Sequence, residues 1–259
     1  MSLVIVLLLS VVQGLTEFLP VSSSGHLWII RWLSGHEPDL LFDVVVHVGT
    51  LLAVVVYFRR DIVSLVTTGS GRRTLALIAL GSAPTAAIGL GLKPFVEEGR
   101  YGSLFIGCML LMTGFALLIA DRAAKPAVPD TDSENKWFLT WKMALIIGVV
   151  QGLTVIPGIS RSGATIAAGL LLGLNRHEAY RFAFLLSIPA VSGAFLLKVL
   201  NLESITLLVN VSTVLAMTVS AVIGLGSLWI LKKMIVKSGQ LTYFSIYVWL
   251  VGGLLVAGS

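Results

Sequence analysis

Glu17, His26, His47 and Arg161 are four ionisable side chains that fall inside long apolar stretches of this chain. A charge at membrane depth costs ~2.5 to 3.5 kcal/mol or more on insertion scales, so each is a candidate for chemistry. Three of the four lie in a motif that occurs twice. Gln13 to His26, QGLTEFLPVSSSGH, matches Gln151 to Ala164, QGLTVIPGISRSGA, at seven of fourteen positions with a constant offset of 138 residues. Glu17, His26 and Arg161 stand where the copies differ, so the two halves have specialised. The four-residue spacing of Gln13 and Glu17 places both on one helix face, able to address one ligand or cation. Pro20 stops that helix, and Ser22, Ser23 and Ser24 follow, with Ser24 expected to cap a returning helix that carries His26 in its first turn. In the second copy Pro157, Gly158, Ser160, Arg161, Ser162, Gly163 and Thr165 repeat the pattern, with Ser162 as the expected cap.

That set of groups has a definite chemical character. Free amides at a helix N-terminus favour an anion, and the planar fork of arginine holds two phosphate oxygens at once. Two such termini, an arginine, several hydroxyls, a carboxylate and an imidazole in a lipid-exposed protein suit a phosphorylated lipid. A structural alternative stays open, in which Glu17 and Arg161 are a buried pair joining the two bends and His26 is a capping residue. His47, midway along an otherwise apolar span, is expected to be a packed core residue outside the site.

The elements that position these residues follow from composition. Hydrophobic residues make up 56% of the chain, charged residues 12%, and the mean hydropathy is +0.96, which defines an all-α polytopic membrane protein. Six uninterrupted apolar stretches, 40 to 58, 74 to 92, 101 to 120, 178 to 200, 209 to 231 and 240 to 257, are long enough to span. Residues 2 to 33 and 139 to 174 hold the repeat and are each broken by it, so both are expected to be re-entrant helical hairpins. Lipid offers broken backbone no water to bond, so such breaks persist only where protein or a polar cavity covers them. Each half then has one hairpin and three transmembrane helices, residues 1 to 124 and 137 to 259, joined by a cytoplasmic linker at 125 to 136. An odd number of crossings per half inverts the second, giving an inverted-topology repeat with its site where the bends meet.

The basic residues agree with that topology. On one side of the expected membrane lie Arg59, Arg60, Arg72, Arg73, Arg122, Lys125, Lys136, Lys142, Arg176, Arg181, Lys232, Lys233 and Lys237; on the other lie Arg31, Lys93, Arg100 and Lys198. The richer side is cytoplasmic by the positive-inside rule, which places both termini outside and makes the first hairpin dip in from the outer face. Loop bias and attraction to anionic headgroups account for the net charge of +5, so no nucleic acid is implied. Residues 1 to 12 lack the basic start of a cleavable signal peptide. Cys108, the only cysteine, can form neither an internal disulfide nor a thiolate cluster. Trp137, Trp141, Trp229, Tyr243 and Tyr247 read as interfacial anchors, and Gly89, Gly91, Gly224 and Gly226 as sites of close helix packing.

With the motifs QGLTEFLPVSSSGH and PGISRSGAT in this order, the chain resembles, over nearly its whole length, the undecaprenyl-diphosphate phosphatases of the bacitracin-resistance type. The resemblance implies hydrolysis of undecaprenyl diphosphate to the monophosphate in the bacterial plasma (inner) membrane, recycling the carrier of cell-wall precursors, with a site opening to the outer face. Carried over by motif position, Glu17, Ser23, His26 and Arg161 are catalytic and Ser160, Arg161, Ser162 and Thr165 bind the substrate phosphates. Position 13 carries Gln, so Glu17 is the motif's one carboxylate. The resemblance also implies a divalent cation, Mg2+ or Ca2+, on Glu17 and Gln13. Ser23 or a water is the nucleophile, and His26 removes its proton or protonates a departing oxygen. Expected partners are the polyprenyl diphosphate and the bilayer, with a homodimer left open. A transporter or flippase of a phosphorylated polyprenyl lipid would use the same architecture and is the rival reading. A phosphatidic-acid-type phosphatase is disfavoured, because its second histidine position is Ala167 here.

Overall fold

A computed structural model describes residues 2–37, 39–99, 101–124, 139–200, 210–237 and 239–259. The described residues form eleven α-helices and no strand. In chain order these are α1 (Leu3–Thr16), α2 (Ser23–Ser34), α3 (Leu40–Tyr57), α4 (Arg59–Thr67), α5 (Gly69–Glu98), α6 (Ser103–Ala123), α7 (Trp141–Leu153), α8 (Arg161–Leu171), α9 (Arg176–Leu200), α10 (Val211–Lys232) and α11 (Leu241–Ala257), with a π-helical turn, Lys233–Lys237, before α11. The expected linker 125 to 136 and Trp137 lie outside the described residues.

Four helices among the described residues are long and apolar enough to cross a membrane: Gly69–Val96, Ser103–Ala123, Arg176–Leu200 and Val211–Val236. A fifth candidate is the pair Phe42–Tyr57 and Arg59–Thr67, bent by 63° at Phe58. The sixth expected span exists as α11, but at 17 residues it is shorter than the others, because the π-helical turn and Gly239, at φ 64°, break the chain before it. Both stretches that hold the repeat are broken as expected. Rising ~1.5 Å per residue, the longest of their four pieces, the 14-residue α1, reaches about 21 Å and falls short of a ~30 Å hydrocarbon layer. Apolar side chains such as Phe115, Ile119, Val222, Leu250 and Leu254 point outward, as suits a protein whose solvent is lipid.

Without a hydrophobic drive between helices in lipid, association depends on close packing. α1 lies along α10, α7 along α5, and α6 along α11. At each of these contacts a glycine lets two backbones approach. A Cβ on Gly14 would sit 2.8 Å from Ile223 Cβ, one on Gly107 would sit 2.8 Å from the Gly252 carbonyl oxygen, and one on Gly252 equally close to that of Gly107. A Cβ on Gly148 would overlap the Gly81 carbonyl, and at this crossing Thr85 Oγ1 donates to the Gly81 and Gly148 oxygens at 3.0 and 2.8 Å. Among the described residues, Gly224 alone of the glycines expected at close contacts is at one, against Phe18; Gly89, Gly91 and Gly226 meet no described atom within 4 Å of an added Cβ.

An aromatic cluster of Phe18, Phe58, Tyr180 and Phe184 fills the centre, and it anchors the first bend. Phe18 meets Phe184 edge-on at 5.7 Å and abuts Gly224 on its other side, so the residue next to Glu17 is fixed by helices of the second half. The glycine contacts make a direct prediction. Gly148→Ala should lower stability by ~1 to 3 kcal/mol through overpacking, while Gly226→Ala should stay within ~0.5 kcal/mol of the parent. Thermal unfolding in detergent measures both, and equal effects would remove the packing account.

Candidate active site

Each broken helix ends where proline or glycine denies it a regular next turn. After α1 the chain turns over residues 17–21, and Val21 N–H reaches back to the Leu19 carbonyl at 2.7 Å. Ser22 then takes φ 69°, the one non-glycine residue in the left-handed region among those described, a conformation that costs of order 1 to 3 kcal/mol. Its hydroxyl accepts from Gly25 N–H at 3.3 Å and caps α2. In the second bend Gly158 takes φ 94°, where a Cβ would lie 2.6 Å from Met109 Cβ, and Ser160 caps α8 by accepting from Gly163 N–H at 3.1 Å. The caps are thus Ser22 and Ser160, two residues earlier than expected from Ser24 and Ser162. The reason is geometric: the cap must be the last non-helical residue, and its oxygen reaches the amide three residues on.

That shift decides what the first helical positions carry. Ser23 begins α2 and Arg161 begins α8, equivalent places in the two copies. Both turn their side chains onto Glu17. Ser23 donates from Oγ to Glu17 Oε2 at 2.6 Å, and Arg161 Nη2 is ion-paired with Glu17 Oε1. Gln13, one turn up α1, adds a third donor from Nε2 to Oε2 at 3.0 Å. Glu17 is 7% exposed, and burying a carboxylate is tolerable only with donors of this number and charge.

His47 belongs to this group, contrary to the expectation that it is a core residue. Its Nδ1 donates to the Asp43 carbonyl at 2.7 Å, which turns Nε2 toward Glu17 Oε2 at 3.6 Å. The signal was available, since an imidazole in an apolar span is itself a marker of function. Asp43 was also overlooked among ionisable residues; Arg31 holds its carboxylate at 2.9 and 2.5 Å. His26 stands apart from the carboxylate's hydrogen bonds. Its Nδ1 donates to the Ser22 carbonyl at 2.7 Å and its Nε2 lies 2.7 Å from the hydroxyl of Tyr247, expected only to be an interfacial anchor. The group that bonds the Ser23 hydroxyl is therefore Glu17, not His26.

Ser160, Ser162 and Thr165 build the second bend. Besides capping, Ser160 Oγ lies 3.3 Å from Ser162 Oγ, Ser162 donates to the Leu19 carbonyl of the first bend at 3.3 Å, and Thr165 donates to the Arg161 carbonyl at 2.8 Å. The bends are tied again where Gly158 N–H donates to Ser24 Oγ at 3.3 Å. α6 braces them: Thr113 Oγ1 accepts from Ser160 N–H at 3.2 Å. The amides of Ser23, Ser24, Arg161 and Ser162 are the first-turn donors that a helix cannot satisfy internally, and they remain the natural places for phosphate oxygens.

No group of three or more His, Cys, Asp or Glu that could hold a metal occurs among the described residues. A cation needing one or two carboxylates plus phosphate oxygens is a different case. Gln13 is fully buried and its Oε1 has no hydrogen-bond partner, beside the Glu17 carboxylate, so the two side chains offer oxygens that fit such an ion. Gln151, the equivalent residue, also has an unpartnered Oε1, but Val155 stands where Glu17 would be, and its Nε2 bonds the Leu186 carbonyl at 3.2 Å.

The fold and this site define a helical membrane protein equipped to handle phosphate in its interior. A family model described as bacitracin resistance protein BacA matches residues 6–254. The undecaprenyl-diphosphatase of Desulfosudis oleivorans is 44% identical across 95% of this chain and 94% of that protein. That of Methanosphaera stadtmanae is 41% identical across 95% and 94%, and that of Hahella chejuensis 42% identical across 97% and 96%. The chain belongs to the BacA family of bacitracin resistance proteins.

The pairing at the site can be tested without any substrate. Arg161→Ala strips a buried carboxylate of its counter-charge and should cost ~3 to 5 kcal/mol of stability. Glu17→Gln added to it should restore part of the loss, because the orphaned charge is then gone. Thermal unfolding of the three proteins decides, and an Arg161→Ala protein as stable as the parent would refute the pairing.

Proposed function

We infer that this protein hydrolyses undecaprenyl diphosphate to undecaprenyl phosphate and inorganic phosphate, returning the lipid carrier to cell-wall synthesis and conferring resistance to bacitracin. The observation that carries the inference is the meeting of Ser23, Arg161 and Glu17 at the junction of two broken helices. Phosphoryl transfer asks for an in-line nucleophile and for neutralisation of oxygen charge, with little covalent work by the protein. Ser23 is the nucleophile: its proton passes to Glu17 Oε2, and Oγ bonds the terminal phosphorus as the bond to the bridging oxygen breaks. Undecaprenyl phosphate leaves, and water cleaves the phosphoserine in a second displacement, in which Glu17 returns its proton to the Ser23 oxygen and His26 takes the proton of the water. Arg161 turns its fork from Glu17 to the phosphate oxygens, helped by the first-turn amides of α2 and α8. His26 supplies the proton at the departing oxygen in the first displacement, which leaves Nε2 free to act as base in the second. Mg2+ or Ca2+ would be held by Glu17 and Gln13 and would neutralise phosphate charge when bound.

The topology that serves this reaction is an inverted repeat in which α1 with α2, and α7 with α8, are re-entrant hairpins. Support comes from the shortness of all four helices, the hydrogen bonds between the two bends, and the one-sided distribution of Lys and Arg. Both termini then lie outside in the bacterial plasma membrane, residues 125 to 136 are cytoplasmic, and the site opens to the outer face.

Phosphate release from undecaprenyl diphosphate by the purified protein, with and without Mg2+, tests the reaction. Ser23→Ala and Glu17→Gln should each slow it ~10²-fold or more, and mass spectrometry of a quenched turnover should find phosphate on Ser23. Binding of the lipid with no release under any divalent cation would instead favour a lipid transporter. In a Cys108→Ala background, a cysteine at Leu33, which is 73% exposed near the end of α2, should react with an impermeant thiol reagent from outside intact cells. Labelling only after lysis would reverse the topology.

A further inference from the structure

The contact between His26 and Tyr247 is more specific than helix packing demands. A carbonyl can only accept, so the Nδ1 of His26 that faces the Ser22 oxygen at 2.7 Å carries a hydrogen. The other nitrogen, Nε2, is then the atom at which a proton is exchanged, and it meets the Tyr247 hydroxyl at 2.7 Å. A phenol both donates and accepts. It can give its hydrogen to a bare Nε2 and take a hydrogen bond from a protonated one, so the contact is available in either state. The two rings lie nearly parallel, at 9° with centroids 5.6 Å apart, which fixes the plane of the imidazole as well as its direction.

The support behind Tyr247 is firm. α11 is locked to α6 by the reciprocal contact of Gly107 and Gly252, and Trp249 donates from Nε1 to the Leu111 carbonyl at 3.1 Å. One to two turns beyond His26, α2 and α11 border an apolar groove lined by Ile29, Trp32, Leu33, Val251 and Leu254. A half-exposed Tyr247 also leaves space for Nε2 to exchange the phenol for a phosphate oxygen.

We propose that Tyr247 is a positioning residue for the hydrolysis, its hydroxyl holding the His26 ring in one orientation so that Nε2 is presented to the departing oxygen. Tyr247 touches no reacting atom and acts through His26, so the inference rests on the acid–base role given to His26 above. The two claims can fail separately.

Tyr247→Phe keeps the ring and removes only the hydroxyl. For undecaprenyl diphosphate hydrolysis by the full-length protein, it should lower kcat about tenfold while KM stays within about twofold and the melting temperature is unchanged. In a His26→Ala background the same substitution should cost nothing further, because the group it positions is absent. A wild-type rate for Tyr247→Phe beside a crippled His26→Ala would overturn the proposal, as would an equal loss in both backgrounds. A wild-type rate for His26→Ala would overturn the acid–base role itself. Nitrogen-15 spectra of the ring give a reading independent of turnover: the Nδ1–H held by the Ser22 carbonyl should persist in both proteins, while the Nε2 signal should shift in Tyr247→Phe as its hydrogen-bond partner is lost, and identical spectra would count against the positioning role.

Discussion

A carboxylate buried in a protein whose surroundings are lipid sets the terms for the rest of this molecule. Glu17 has no bulk water to solvate it and must be given donors by the chain. Those donors come from three places: Gln13 on its own helix, Ser23 across the first bend, and Arg161 from the other half. Ser23 and Arg161 can reach it only because a helix stops and another starts within a few residues. The breaks are therefore consequences of the charge as much as carriers of it, and the strained Ser22 and the left-handed Gly158 are what the backbone accepts to make them.

The same constraint explains the division of labour among hydroxyls. Ser22 and Ser160 are consumed as caps, Ser162 and Thr165 as ties between backbone carbonyls, and Ser23 alone of these is left bonded to a carboxylate. A hydroxyl whose partner can take its proton differs chemically from one whose partner is a carbonyl. Position on the helix, not residue type, creates that difference. The histidines show it too: His26 and His47 each give Nδ1–H to a carbonyl four residues back, which turns Nε2 outward in both cases, toward Tyr247 in one and Glu17 in the other.

Much of this was legible in the sequence, and what was not has physical causes. Apolar runs and the repeated motif marked the helices and both breaks, since length and hydropathy decide what can cross lipid. The pairing of Glu17 with Arg161 was visible as an alternative, because opposite charges at membrane depth have few other options. The caps were placed two residues late because three serines in the first bend and two in the second offer several candidates, and only the backbone angles choose among them. The contacts that His47 and Tyr247 make were hidden for a different reason. Their partners lie 30 and 221 residues away, and no spacing rule links them to the motif. Gly89, Gly91 and Gly226 misled because glycine content alone does not say which face of a helix meets a neighbour.

The distribution of charge between the copies has a consequence for how the protein is made. Val155 occupies the place of Glu17 in the second copy, and Ser23 the place of Arg161 in the first, so neither half can neutralise its own buried charge. Glu17 and Arg161 are 144 residues apart. At ~5 to 20 residues per second of synthesis, roughly 7 to 30 s separate their emergence from the ribosome. Throughout that interval the nascent first half holds an acid with no arginine to meet it. Until the second bend arrives, Glu17 depends on water, on the insertion machinery or on its own proton for shielding.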